Sequence, residues 1–158
     1  MKKIYFLFFI LLLSNVNAQN DSVNFVLKKF TSEMIDHEKF MKYYSIKEIP
    51  KSVKKKLKAI DKKFAFSNPG QNYNFMDVPR WQDRFHKNRE LIFVYKSNDI
   101  AVVHYYFNGV KIKRRHLTLI CFYNKEDALI VPVGVYFQNI SDLYLKIISN
   151  NYFISKWI

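Results

Sequence analysis

The sequence predicts an α+β protein in which N-terminal helices precede a four-stranded antiparallel β-meander and a C-terminal helix. Apolar residues recur every three or four positions in the first part of the chain, as they do in amphipathic helices. Short apolar runs separated by turn residues follow between residues 91 and 137, as they do in antiparallel strands. The chain shows neither a repeat nor a linker, so residues 19–158 are predicted to form a single α+β domain.

The first 18 residues are typical of a cleavable signal peptide. Lys2 and Lys3 precede an unbroken apolar run, Ile4–Leu13. Val16 and Ala18 then suit the positions that a signal peptidase recognises. An apolar helix of this length spans only about 15 Å, about half of a bilayer core, so an uncleaved anchor is the less favoured alternative. We therefore expect an exported protein, periplasmic or extracellular, with no transmembrane segment in the mature chain.

Two helices are predicted before the sheet. The first lies within Ser22–Tyr44, where apolar residues follow helical spacing, with a break near Thr31-Ser32 as the alternative to one continuous helix. The second begins near Pro50, which suits the first position of a helix. Its apolar stripe comprises Val53, Leu57, Ile60 and Phe64, and its other faces carry Lys51, Lys54, Lys55, Lys56, Lys58, Lys62 and Lys63. Such a helix either binds a membrane or a polyanion, or packs its stripe on the core behind a solvated lysine-rich surface.

The strands are predicted from apolar runs that turns separate. They are Leu91–Tyr95, Ile100–Phe107, Val110–Tyr123 and Ala128–Phe137. Asn108-Gly109 is the strongest two-residue hairpin signal and predicts a type I′ turn between the second and third strands. Pro132 lacks an N–H donor, so the last strand is expected at an edge or with a bulge. A helix is expected from Ser141 to about Ser149.

Composition and charge narrow the functional classes. Hydrophobic residues make up 49% of the chain, which excludes a disordered protein. The net charge of +13 favours a polyanionic partner such as nucleic acid, anionic lipid or an acidic cell-surface polymer, although lysine also serves simply as a solvating residue. Cys121 is the single cysteine, so no intramolecular disulfide can form, and its apolar neighbours predict a buried, inert thiol. With only 3 glycines the chain has no phosphate-cradling loop, and we expect no cofactor.

The predicted two-residue hairpin also fixes the register of its strands. Phe107 would lie opposite Val110, so that His104 lies opposite Lys113. Basic side chains of the third strand then share a face with His104 and Tyr106, an arrangement suited to phosphates or anionic sugars. The predicted binding residues are Lys111, Lys113, Arg114, Arg115, His104 and Tyr106, with Arg80, Trp81 and Arg84 of an irregular loop over residues 71–88. Alternatively, the lysines only keep a protruding hairpin soluble.

The four histidines form no metal-binding motif. They are His37, His86, His104 and His116, and none of their spacings is that of zinc ligands. The predicted register places His104 and His116 on opposite faces of the sheet, where they would not share a metal unless a bulge near Arg114-Arg115 turned the strand over. We therefore predict no metal site.

The leading hypothesis is a non-enzymatic module that binds an anionic surface or polymer. One alternative is a periplasmic protein–protein interaction module of the inhibitor or immunity type. That alternative predicts an exposed aromatic patch around Trp81, Phe85 and Tyr136, and binding that survives high salt.

A second alternative is a secreted phosphodiesterase or ribonuclease-like enzyme. Cleavage of a phosphodiester needs a base, an acid and a cation that holds the phosphate. Glu90, Arg114 and either His116 or His104 are the residues that could fill these roles. No spacing in the sequence requires such a trio, so it stays an alternative.

Overall fold

The structure is a computed structural model that describes residues 20–62, 64–70, 89–109 and 112–154 of the 158-residue chain. The predicted signal peptide lies outside these residues, as do Arg80, Trp81, Arg84, Phe85, His86 and Lys111. Lys113 and Arg114 are described by their backbone alone.

Helices and a seven-stranded, mainly antiparallel sheet make up the fold, so the predicted α+β class is confirmed. The strands are β1 (Met41–Tyr43), β2 (Phe66–Ser67), β3 (Arg89–Lys96), β4 (Ile100–Gly109), β5 (Ile112–Tyr123), β6 (Ala128–Gly134) and β7 (Phe153–Ile154). Their order is β1-β3-β4-β5-β6-β7, and β2 runs parallel to the start of β3. The predicted count of four was too low because β1, β2 and β7 are too short for a period-two pattern to reveal them.

The helices are α1 (residues 20–33), α2 (Lys51–Ile60) and α3 (Ile140–Ile148), with 3₁₀ turns at Met34–Lys39 and Ile46–Glu48. The first helix ends well before Tyr44, because the backbone leaves helical geometry at Asp36 and the following segment joins the sheet as β1. α3 begins close to its predicted start, where the side chain of Asn139 accepts a hydrogen bond from the backbone N–H of Asp142.

The central strands are buried on both faces of the sheet. The face under α1 and α3, called the α1/α3 face, includes Val26, Phe30, Val102, Ile120 and Leu143. The opposite face, called the α2 face, includes Val53, Leu57, Val103, Leu119 and Cys121. Cys121 is fully buried there, as predicted, and burial raises the pKa of its thiol, which keeps the thiol protonated.

The predicted turn at Asn108-Gly109 was wrong. Both residues belong to β4, and Gly109 pairs with Ile112 across the hairpin. The connection therefore falls on residues 110–111, which lie outside the described part of the chain. The β4–β5 pairing is also irregular between Phe107 and Gly109, which a simple two-residue hairpin would not produce.

The register of β4 and β5 consequently differs from the predicted one. His104 lies opposite Thr118 instead of Lys113, which is an offset of five residues. An odd offset turns every side chain of a strand to the other face of the sheet. Burial explains the observed register. This register pairs Leu117–Cys121 with Ala101–Tyr105, and both segments are buried. The predicted register would have left most of that apolar part of β5 beyond the start of β4.

Candidate anion-binding site

α2 is fixed on the sheet by its apolar side, which leaves its lysines facing outward. Val53 and Leu57 are buried in the α2 face. The hydroxyl of Ser52 donates a hydrogen bond of 2.7 Å to the carbonyl of Asn124, which ties the helix to the turn between β5 and β6. These contacts leave Lys51, Lys55 and Lys58 exposed, and Lys54 and Lys56 half-buried.

The predicted apolar stripe of this helix is only partly correct. Val53 and Leu57 form it, but Ile60 is the last helical residue and is 48% exposed. Phe64 reaches the core from the segment after the helix. Pro50 precedes the helix as its N-cap and does not occupy the first helical position. The helix is therefore shorter than its sequence pattern suggests, and the segment that follows it packs beside it.

A pocket of about 500 Å³ lies between α2 and the segment that enters β2. Its apolar lining consists of Ile46, Ile49, Leu57, Phe64, Ala65 and Phe66. Its charged lining consists of Lys54, Lys55 and Lys58, and no carboxylate is among the described lining residues. Ile49, Leu57, Phe64 and Phe66 are less than 10% exposed and belong to the packed core of the α2 face. The pocket is thus an apolar recess with an edge of positive charge.

Partial burial makes the charge at this pocket costly. It lowers the pKa of Lys54, because an ammonium group loses hydration there. Glu48 opposes this effect, and Lys51 adds to it by repulsion. An anion placed beside Lys54 would restore the interactions that the ammonium group has lost.

The neighbouring carboxylates are paired with other cations. Glu48 lies 2.9 Å from Lys96, Asp61 lies 3.4 Å from Arg89, and Asp127 lies 3.2 Å from Lys56. Five lysines of α2 and of the 3₁₀ turn before it have no ion pair within the described part of the chain: Lys47, Lys51, Lys54, Lys55 and Lys58. We call these five residues the lysine face. Its positive charge is therefore available to a partner.

The predicted cationic surface of the β4–β5 hairpin is not assembled as expected. Arg115 lies opposite Phe107, which packs on the α2 face, whereas His104 is buried on the α1/α3 face. Arg115 and His104 therefore point to opposite sides of the sheet. Arg115 is exposed on the same side of the sheet as α2.

His104 and His116 lie on one face, and the prediction that they occupy opposite faces was wrong. The Nδ1 atom of His116 is 3.3 Å from the Nε2 atom of His104, and the rings stack with centroids 5.4 Å apart. The Nδ1 atom of His104 is 2.9 Å from the hydroxyl oxygen of Thr118. This arrangement follows from the observed register. The predicted register differs from it by an odd number of residues and therefore could not place the two rings on one face.

Burial, together with the neighbouring His116 and Lys42, lowers the pKa of His104 to about 3. His104 is therefore neutral at physiological pH, with one ring nitrogen as donor and the other as acceptor. Its two hydrogen-bond partners, one on each nitrogen, satisfy both roles. The contact between the two rings thus connects the buried imidazole of His104 to the half-buried imidazole of His116.

One row of residues across β3, β4 and β5 brings a carboxyl group and a phenol into line with the imidazole of His116. Glu90 of β3 is opposite Tyr106 of β4, and Tyr106 is opposite His116 of β5. The Tyr106 and His116 rings are in contact, with centroids 4.4 Å apart. Glu90 is nearly buried and accepts a hydrogen bond of 2.7 Å from the backbone N–H of Gly70. Two strand spacings place the backbones of Glu90 and His116 about 10 Å apart.

The described residues also bear on a metal site, a membrane span and a disulfide. They contain no group of three or more metal-ligating side chains. Of the helices that can be described, none has the length and hydrophobicity needed to span a bilayer. Cys121 forms no disulfide.

The sequence places the lysines on α2 but does not include them among the predicted binding residues, and it does not reveal the pocket beside them. The lysines follow a helical pattern that is visible in the sequence, whereas Ile46, Phe64 and Phe66 meet Leu57 only in the folded chain. No family model matches this chain, and neither does any curated protein or solved structure.

Proposed function

We propose that this is an exported protein that binds an anionic surface or polymer through the lysine face of α2 and the preceding turn. The observation that carries the proposal is a set of five lysines without an ion pair among the described residues, beside a pocket that has no acidic lining residue. A net charge of +13 attracts anions to the whole molecule, and the lysine face provides a defined place for contact.

Anionic lipid headgroups suit this surface because α2 is amphipathic and short. Its buried side packs on the sheet, so the exposed side meets a partner through charge and not by inserting an apolar face. Lys51, Lys55 and Lys58 are all exposed and are spaced along one side of the helix. A flat array of phosphates or carboxylates can therefore contact several of them together.

The test compares binding to vesicles of anionic and of neutral lipid at two salt concentrations. Each lysine close to an anionic surface contributes about 1 kcal/mol, so Lys51→Gln/Lys55→Gln/Lys58→Gln is expected to weaken binding on the order of 100-fold. A charge-matched control, Lys28→Gln/Lys29→Gln/Lys42→Gln, removes three exposed lysines on the α1/α3 side of the sheet and is expected to lose far less. Equal losses in the two variants, or binding that is indifferent to salt, would rule out a localised site.

A second candidate function is acid–base cleavage of a phosphodiester on the α1/α3 side of the sheet. The row of Glu90, Tyr106 and His116 is the observation that favours it, because it brings a carboxyl group and an imidazole to one face. Incubation with RNA and with a chromogenic phosphodiester tests it. Cleavage that disappears in His116→Ala and persists in the lysine variant would support the enzyme and not the binding module.

A protein–protein module remains the third proposal. Tyr136 of its predicted aromatic patch is 60% exposed and lies against the ring of His116, with centroids 5.2 Å apart. Such a module would bind a protein partner as tightly in high salt as in low salt, and Tyr136→Ala would weaken that binding.

A further inference from the structure

We propose that the pocket beside α2 holds the hydrocarbon chain of a long-chain fatty acid, with the carboxylate on Lys54, Lys55 and Lys58. The inference rests on the proposed function, because it names the ligand class for part of the same lysine face. It adds a specific requirement, namely that one molecule supplies both an apolar chain and a single negative charge.

The lining of the pocket matches such a molecule in chemistry. The apolar side chains, Ile46, Ile49, Leu57, Phe64, Ala65 and Phe66, offer no hydrogen-bonding group from a side chain, so they suit a hydrocarbon. The volume of about 500 Å³ lies within the range of about 300–1,000 Å³ that is typical of small-molecule sites. A compact inorganic anion or a sugar would leave this apolar wall unused.

The lysines match the other end of the ligand. Lys54, Lys55 and Lys58 lie within one turn of α2, so their ammonium groups can approach one carboxylate together. Lys54 is partly withdrawn from water, and charge-assisted hydrogen bonds strengthen where water is excluded. No described carboxylate lines the pocket to compete for these groups.

The first experiment measures the affinity of the full mature chain for decanoate, laurate and myristate below their micelle concentrations by calorimetry. Burial of each methylene contributes enough to strengthen binding about fourfold, so each step of two carbons is expected to gain about 15-fold until the pocket is filled. Dodecanol, which has the chain without the charge, is expected to bind at least 10-fold more weakly than laurate. Affinity that does not change from decanoate to myristate overturns the inference.

Two variants locate the binding. Ala65→Trp fills the pocket from a half-buried lining position and is expected to abolish laurate binding. Lys55→Glu/Lys58→Glu changes two exposed helix positions, leaves the core intact and is expected to weaken laurate binding at least 10-fold. Lys28→Glu/Lys125→Glu, at exposed positions outside the pocket, is the matched control and should bind laurate as the wild type does. If Ala65→Trp does not fold, as judged by circular dichroism, the charge-reversal pair decides.

The outcomes separate this inference from the proposed function. Anionic vesicles that still bind Ala65→Trp, when laurate no longer does, support both. Vesicle binding without any laurate binding overturns the fatty-acid inference and leaves the surface-binding proposal standing. Laurate binding that Ala65→Trp and Lys55→Glu/Lys58→Glu leave unchanged overturns the pocket as its location. Laurate binding without vesicle binding overturns the surface proposal alone.

Discussion

At the scale of single residues, the half-buried Glu33 and the buried His104 make stability depend on pH in opposite directions. Glu33 shares a hydrogen bond with Asp99 and accepts another from the hydroxyl of Ser97. Partial burial, together with the hydrogen bond to Asp99, raises the pKa of Glu33 to about 7. A proton held between the two carboxyl groups therefore joins the end of α1 to the turn between β3 and β4.

The sign for Glu33 follows from its raised pKa. The folded chain binds this proton more tightly than the unfolded chain, so its stabilising effect is lost as the pH rises from about 4.5 to about 7. Glu33→Gln is expected to remove that loss, because a neutral amide does not titrate. Urea unfolding at pH 5, 6, 7 and 8 measures the free energy of unfolding of the wild type and of Glu33→Gln. Parallel profiles for wild type and variant would show that Glu33 does not carry the proton.

His104 has the opposite sign. Its pKa is lowered from 6.5 to about 3, so the unfolded chain binds the proton more tightly. The contribution of His104 is complete above about pH 6.5 and is lost as the pH falls towards 3. His104→Gln is expected to make stability less sensitive to acid, with a loss of about 1–3 kcal/mol at neutral pH from the disturbed hydrogen bonds. Urea unfolding of the variant between pH 4 and 7 measures both effects, and an acid profile as steep as that of the wild type would contradict the prediction.

At the scale of secondary-structure elements, β7 depends on a residue without a side chain. A Cβ atom at Gly134 of β6 would collide with the ring of Phe153 of β7, which packs over Gly134 where the two strands pair. Gly134→Ala is expected to displace that ring and open the short β6–β7 pairing. Because Phe153 is 65% exposed, its ring can move into solvent and the cost is expected to stay below about 1 kcal/mol. Amide hydrogen exchange at Ile154 measures the opening.

A double variant is the control for this prediction. Phe153→Ala removes the ring that the new methyl group would meet, so Gly134→Ala/Phe153→Ala is expected to regain slow exchange at Ile154. Exchange that is slow in Gly134→Ala alone would show that the contact does not hold β7.

The sequence predicts elements better than their pairing. α2 and the four long strands are visible as apolar patterns because each pattern is local. The register of β4 and β5 is not local, because the choice between Lys113 and Thr118 opposite His104 depends on which segment of β5 is buried under α2. The Asn108-Gly109 signal favours a turn locally, and the burial of Leu117–Cys121 outweighs it.

The same distinction applies to the candidate site. The lysines of α2 follow from helical spacing, but the sequence predicts the binding residues on the β4–β5 hairpin and the loop over residues 71–88, and leaves the α2 lysines with a solvated surface as one of two interpretations. The pocket beside them is lined by Ile46, which precedes α2 in the chain, and by Phe66, which follows it. These residues come together only in the folded chain. The pairing of His104 with His116 needs the observed register for the same reason.

At the scale of the whole molecule, the question is whether net charge or a local surface binds anions. A net charge of +13 attracts any polyanion, wherever its lysines lie. The lysine face instead predicts a fixed number of contacts, made by Lys47, Lys51, Lys54, Lys55 and Lys58. The number of contacts can be counted from the dependence of affinity on salt, because each contact with a single strand releases about 0.7 of a counterion.

Binding to poly(U), an unstructured polyanion, therefore distinguishes the two cases. Five contacts predict that log K falls with log salt with a slope of about −3.5. Lys51→Gln/Lys55→Gln/Lys58→Gln leaves two contacts and is expected to reduce the slope to about −1.4. Lys28→Gln/Lys29→Gln/Lys42→Gln removes the same net charge and is expected to leave the slope near −3.5, since these residues lie on the α1/α3 side of the sheet and not on the lysine face. If net charge alone governs binding, both variants will change the slope equally, and the lysine face of α2 will have no special part in binding.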